Sequence, residues 1–162
     1  MSSMKQHIER FYSKKVTEIM YTHEWDLPII EQDTSFEIIL SIMYGKDRVW
    51  VVDNKENRKL IGVITEKTLL DVLAPPRVQR YGLTTAAYKS LAAGNVTTAK
   101  NFMVTKLVTC SPELTVQGAI LRMQKYRVRH LPIVDKKGKL VGELDIAHVI
   151  RGLSFCLRDV DC

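Results

Sequence analysis

Two seven-residue stretches carry the residue types best suited to holding a ligand: Gly62-Val63-Ile64-Thr65-Glu66-Lys67-Thr68 and Gly142-Glu143-Leu144-Asp145-Ile146-Ala147-His148. Each leads from an apolar strand pattern through glycine into a residue placed to open a helix. A glycine near a strand end lets another group come close to the backbone. The helix start behind it offers unpaired N–H groups and a partial positive charge, which suits phosphate. The charges of the two stretches differ. Thr65 can donate its hydroxyl to an anion and Lys67 adds positive charge. Asp145 would meet a phosphate as a like charge, a repulsion of about 3 kcal/mol per unit charge at ~5 Å in an effective dielectric of ~20. Phosphate is therefore expected at the Thr65 junction, with Arg129 and His130 as cationic partners, and a neutral or cationic compound at Asp145. A local reading stands beside this one: Thr65 and Asp145 simply cap helices, and Asp145 contacts His148 at i,i+3.

Catalytic chemistry is not indicated. The chain has no Ser/His/Asp grouping, no paired carboxylate site and no His-x-x-x-His spacing, so no catalytic residue is assigned. His23, His130 and His148 with Cys110 lack the spacing of metal ligands. No metal and no required cofactor are expected.

The elements that position these stretches occur twice. Arg48–Leu73 and Arg129–Leu153 align at Val51-Val52-Asp53 with Ile133-Val134-Asp135, at Leu60-Ile61-Gly62 with Leu140-Val141-Gly142, and at Leu70 with Ile150. The glycines lie 80 positions apart and the aspartates 82. A repeat held in register through two strands and a helix is one structural unit used twice. Upstream, Val16–Met20 and Ala99–Met103 predict one-turn helices. Leu27–Ile30 and Leu107–Cys110 predict short strands. Helices follow with stripes Phe36, Ile39, Leu40, Met43 and Val116, Ala119, Ile120, Met123, spaced i, i+3, i+4, i+7. Thr34 and Glu37 fit a capping box for the first, and the methionines read as core filler. Val49–Val52 and Leu131–Val134 are near-continuous apolar runs, as in strands covered on both faces. Lys137-Gly138 marks a tight turn, Pro75-Pro76 stops one helix, and its counterpart ends near Leu153. The boundaries are an N-terminal helix or arm at 1–15, repeats at 16–73 and 99–153, a basic crossover at 74–98, and a tail at 154–162 of open conformation.

At 162 residues and 46% hydrophobic content, the chain is long enough for a conventional core without staples. A net charge of +6 favours anionic partners. Cys110, Cys156 and Cys162 form no Cys-x-x-Cys pair, so a reducing interior with packed or idle cysteines is expected. The first ten residues contain no apolar core, and no run reaches a membrane span of ~20 apolar residues. A soluble, cytoplasmic protein is the resulting expectation.

The order strand, helix, strand, strand, helix, read twice, resembles a tandem pair of cystathionine-β-synthase (CBS) domains, a Bateman module, standing alone. The likeness rests on the Met20 and Met103 lead-ins, Arg129-His130-Leu131-Pro132-Ile133-Val134-Asp135, and the two glycine junctions. It implies an α/β fold of two β-α-β-β-α repeats packed through their sheets about a pseudo-twofold axis. It further implies a homodimer, and an adenosine-containing ligand (AMP, ADP, ATP or S-adenosylmethionine) in clefts between the repeats. The ligand-binding positions it implies are Gly62, Val63, Ile64, Thr65, Thr68, Ile29, Val108, Thr109, Arg129, His130, Leu131, Pro132, Asp145 and His148. Relatives usually carry Asp, which holds the ribose hydroxyls, where this chain has Thr68 and His148. Trp50, aligned with Pro132, either stacks on a purine or packs.

Three functions follow. A regulatory sensor would bind an adenosyl ligand and pass a change of packing to a regulated partner protein. A scaffold or dimerisation module would have degenerate clefts. Nucleic-acid binding would use the crossover (Arg77, Arg80, Lys89) and the N-terminal helix around Ile8, Phe11 and Tyr12. The crossover is either structured, with a helix over Thr84–Ala93, or a recognition element for a partner.

Overall fold

The computed structural model describes residues 3–22, 27–74 and 94–158. The expected helix over Thr84–Ala93 and the basic residues Arg77, Arg80 and Lys89 lie outside them. The chain divides into two compact units, Pro28–Leu107 (the Thr65 unit) and Met1–Leu27 with Val108–Cys162 (the Asp145 unit). Both are mixed α/β.

In the Thr65 unit, β1 (Ile29–Glu31) runs parallel to β2 (Arg48–Val52), which pairs antiparallel with β3 (Leu60–Thr65). Helices α2 (Phe36–Met43) and α3 (Glu66–Leu73) complete it. The β2 run is buried on both faces, and Val49 and Val51 join Ile30, Phe36, Ile39, Ile64 and Leu69 in the core. Trp50 is 4% exposed, so it packs. Leu40, expected in the buried stripe, is instead exposed. The Thr34–Glu37 capping box does not form. Ser35 stands at the N-cap without a side-chain bond, and the Phe36 N–H donates to the Thr97 carbonyl, so a distant segment does what a local cap would have done.

In the Asp145 unit, β4 (His130–Val134) pairs antiparallel with β5 (Leu140–Asp145). α4 (Val116–Tyr126) and α5 (Ile146–Arg158) flank them. α5 continues five residues beyond Leu153 into the segment whose conformation was open, and its polar and apolar residues keep helical spacing. Helix α1 (Met4–Ser13) is the expected cover: Phe11 is fully buried, and a Cβ on Gly152 of α5 would lie 2.9 Å from its ring. The expected strand over Leu107–Cys110 reduces to a single bridge from Cys110 to Ile133. Proline explains this. In the Thr65 unit the ladder extends through Trp50 N–H to Pro28 and Gln32 N–H to Val52, at 2.7 and 3.0 Å. The aligned residues are Pro132 and Pro112, which have no N–H to give. Cys110 is free and buried, as expected, and Cys156 is packed at 1% exposure but disulfide-bonded, which departs from the expected reducing interior.

The lead-ins are exchanged: each repeat's lead-in belongs to the unit of the other repeat. Val16–Glu18 forms a 3-10 turn whose Val16 N–H donates to Leu114, while Val116 N–H donates to Lys14. Ala99–Asn101 does the same with Thr34 and with Phe36 through Thr97. Tyr21 then bridges Glu143, as Val104 bridges Val63.

Candidate functional site

Each junction is built by a strand whose glycine is covered from one side. A Cβ on Gly62 would fall 2.5 Å from Met103 Sδ, and one on Gly142 would fall 2.7 Å from Met20 Sδ and 2.9 Å from the Tyr21 carbonyl oxygen. The group that needs the glycine is thus a methionine of the lead-in. The backbone beyond it is also taken: Val63 exchanges two hydrogen bonds with Val104, and Glu143 two with Tyr21. Of the implied ligand positions, Ile64 and Leu131 point into the two cores and are fully buried, and Pro132 is buried. Ile29, Val108 and Thr109 are partly buried and Arg129 is exposed.

At the Thr65 junction the helix cap is neutral. The Thr65 hydroxyl accepts from Thr68 N–H, the Thr68 hydroxyl accepts from Thr65 N–H, both at 3.3 Å, and the two hydroxyls are 3.1 Å apart. Glu66 N–H donates to the Asp47 carbonyl, so two of the first three N–H groups of α3 already have protein partners. The expected charge from Lys67 goes elsewhere, since its Nζ pairs with Asp71 at 3.1 Å. At the Asp145 junction the same geometry is ionisable. Asp145 Oδ1 accepts from His148 N–H at 2.8 Å, Asp145 N–H donates to His148 Nδ1 at 3.1 Å, and Tyr21 stacks on the His148 ring at 5.0 Å. Ile146 N–H donates to the Arg129 carbonyl. The structure therefore places Thr65 with Thr68, and Asp145 with both His148 and His130.

Two features escaped the sequence reading. Glu143, 2% exposed, lies with its Oε1 3.8 Å from His130 Nδ1. The signal available was a lone carboxylate inside the apolar run Leu140–Leu144. The second is a cavity of about 620 Å³ beside Cys110, Arg122 and Lys136. Burial pushes the Cys110 thiol up to about 11, against a smaller opposing pull from Arg122.

Residues 16–75 and 99–154 each match the family model of the CBS domain. The chain belongs to the CBS-domain family. It is 31% identical over 122 residues to "CBS domain-containing protein CBSX3, mitochondrial" of Arabidopsis thaliana, a match covering 75% of this chain and 53% of that protein. It is 31% identical over 124 residues to inosine-5'-monophosphate dehydrogenase of Aquifex aeolicus, covering 75% of this chain and 21% of the enzyme. The chain thus spans about half the length of the first relative and about a fifth of the second. Among solved structures, CBSX2 in complex with AMP matches with a TM-score of 0.71 at 20% identity, over 90% of this chain and 99% of that one. The CBS domain of the bacterial CNNM/CorC family Mg²⁺ transporter in complex with ATP matches at 0.66 and 19%, over 93% and 94%. At such identities the likeness is one of fold, and it agrees with the tandem CBS arrangement read from the repeat. Among the described residues no helix is long and apolar enough to cross a membrane.

Proposed function

We propose that this chain is a non-catalytic regulatory module that binds an adenosine-containing ligand and changes its packing in response. AMP, ADP or ATP is assigned to the Thr65 junction and a neutral or cationic adenosyl compound, such as S-adenosylmethionine, to the Asp145 junction. The observation that carries the reading is the neutral, partly buried hydroxyl pair Thr65–Thr68 at the start of α3, in a chain of the CBS family. Hydroxyls can donate to phosphate or ribose oxygens at no charge cost, whereas Asp145 cannot. Relatives of the same fold solved with AMP and ATP support the ligand class. A ligand that binds two packings unequally shifts their populations, and a partner protein reads that shift.

Thermal denaturation with AMP, ADP, ATP and S-adenosylmethionine tests it. A ligand at ~100 times its Kd adds about 2.7 kcal/mol; no shift with any of the four at millimolar concentration removes the reading. We further propose a homodimer in the cytoplasm, supported by the exposed apolar side chains Ile150 and Phe155 of α5 and Leu70 of α3. Light scattering should give twice the 18.5 kDa chain mass, and one chain mass would refute the dimer. Cell fractionation tests the compartment, since one relative is named mitochondrial. A scaffold function is the second reading, favoured by one observation: Thr68 and His148, at the positions where relatives hold ribose, are already engaged as capping partners. A persistent dimer indifferent to every nucleotide would select it.

A further inference from the structure

We propose that His130, Glu143 and Asp145 form a binding site for a divalent transition-metal ion of the zinc or manganese class. The pairing of β4 and β5 brings them together. His130 sits directly across the ladder from Asp145, and Glu143, two residues before Asp145, projects from the same face. His130 is therefore diagonal to Glu143, within reach of a long side chain. One donor atom from each residue lies within 4.8 Å of the other two, and His130 Nδ1 is 3.8 Å from Glu143 Oε1. Donors ~2.0–2.1 Å from a tetrahedral ion stand roughly 3.4 Å apart. The donors thus stand at most about 1.4 Å wider than in a filled tetrahedral site, a gap on the scale of side-chain rotation.

The donor chemistry selects the ion. One imidazole nitrogen with two carboxylate oxygens suits zinc or manganese, while magnesium takes oxygen ligands and keeps its water. Three protein ligands leave one tetrahedral position for water or another ligand. The Glu143 side chain is 2% exposed on the sheet face opposite the Leu131 and Leu144 core, so an ion held there would be shielded from bulk water. The Thr65 unit is a built-in contrast: the aligned residues are Arg48, Val63 and Thr65, a guanidinium, an alkyl group and a hydroxyl, which cannot hold a metal. A metal here would share Asp145 with the adenosyl compound assigned to that junction, so the titration omits every nucleotide and S-adenosylmethionine, and its outcome does not depend on theirs.

Isothermal titration of the untagged, chelator-treated chain with ZnCl₂, MnCl₂ and MgCl₂, without nucleotide, tests the proposal. The expected result is one saturable Zn²⁺ or Mn²⁺ site per chain, absent with Mg²⁺, with affinity falling at least tenfold in Glu143→Gln and in His130→Gln. Circular dichroism checks that each variant is folded. Should Glu143→Gln not fold, the half-buried His130→Gln and the cap-preserving Asp145→Asn carry the same reading. No saturable binding by either transition metal overturns the proposal. So does binding that is unchanged in the folded variants, which would place the ion elsewhere, for example at a thiol.

Discussion

The Thr65 and Asp145 junctions share a backbone and differ in almost every polar atom. Both have a strand glycine covered by a lead-in methionine, a bridge to the residue after that methionine, and a reciprocal cap between the first helix-opening residue and the one three positions on. One is built from Val63, Thr65 and Thr68, the other from Glu143, Asp145 and His148. The glycine cannot change without displacing the lead-in, because close packing leaves no room. The capping positions only need an acceptor for an N–H, which hydroxyl and carboxylate both provide. Duplication has therefore kept the frame and released the chemistry.

The hardest test of that comparison is the element only one unit has among the described residues. Phe11→Ala should cost about 3–5 kcal/mol in urea unfolding, as for a buried aromatic leaving a cavity; a cost under 1 kcal/mol would show that α1 is dispensable. The glycines come next. Gly142→Ala meets the rigid Tyr21 carbonyl and should cost about 2–3 kcal/mol, whereas Gly62→Ala meets side-chain atoms only, from Met103 Sδ at 2.5 Å back to its Cβ at 3.1 Å, and should cost about 1–2 kcal/mol. Equal costs would show that the two approaches are not different in kind.

At the caps, Thr65→Ala and Asp145→Ala should each lose about 1 kcal/mol. Thr65→Asp should change stability by less than about 0.5 kcal/mol yet abolish any thermal shift with ATP, since it gives the first junction the carboxylate of the second. Retention of that shift would end the electrostatic distinction between them. The smallest effect concerns the ion pairs that tie each lead-in to the loop before α2 or α4, Lys100–Asp33 at 2.6 Å and Lys15–Glu113 at 2.7 Å, all exposed. The hydrogen bond from Lys15 holds the Glu113 carboxyl below its usual range. A depressed carboxylate contributes stability above its unfolded pKa and loses it as pH falls through the folded one. Glu113→Gln should therefore lower stability slightly at neutral pH, with the difference vanishing as the pH of urea unfolding is taken below the carboxylate range.

Much of this was legible in the chain. The stripes Phe36/Ile39/Met43 and Val116/Ala119/Met123, the runs Val49–Val52 and Leu131–Val134, and the Thr65 and Asp145 caps are local patterns, and local patterns report local hydrogen bonding and one buried face. Failures came where a distant segment intervened. Thr97, more than fifty residues away, took the role assigned to Thr34, and Pro132 with Pro112 removed a strand that hydrophobicity alone allowed.

By itself the sequence determined that one unit is used twice, where the helices and the central strand pair of each copy lie, and that Gly62 and Gly142 must be approached closely. Tertiary structure alone decided what approaches them, which lead-in serves which repeat, and that His130 meets Glu143 and Asp145. The reason is physical: periodicity records which face of an element leaves water, but a burial pattern carries no label for the partner that covers it. Only the pairing of β4 with β5 brings side chains thirteen and fifteen positions apart to within one ion's reach.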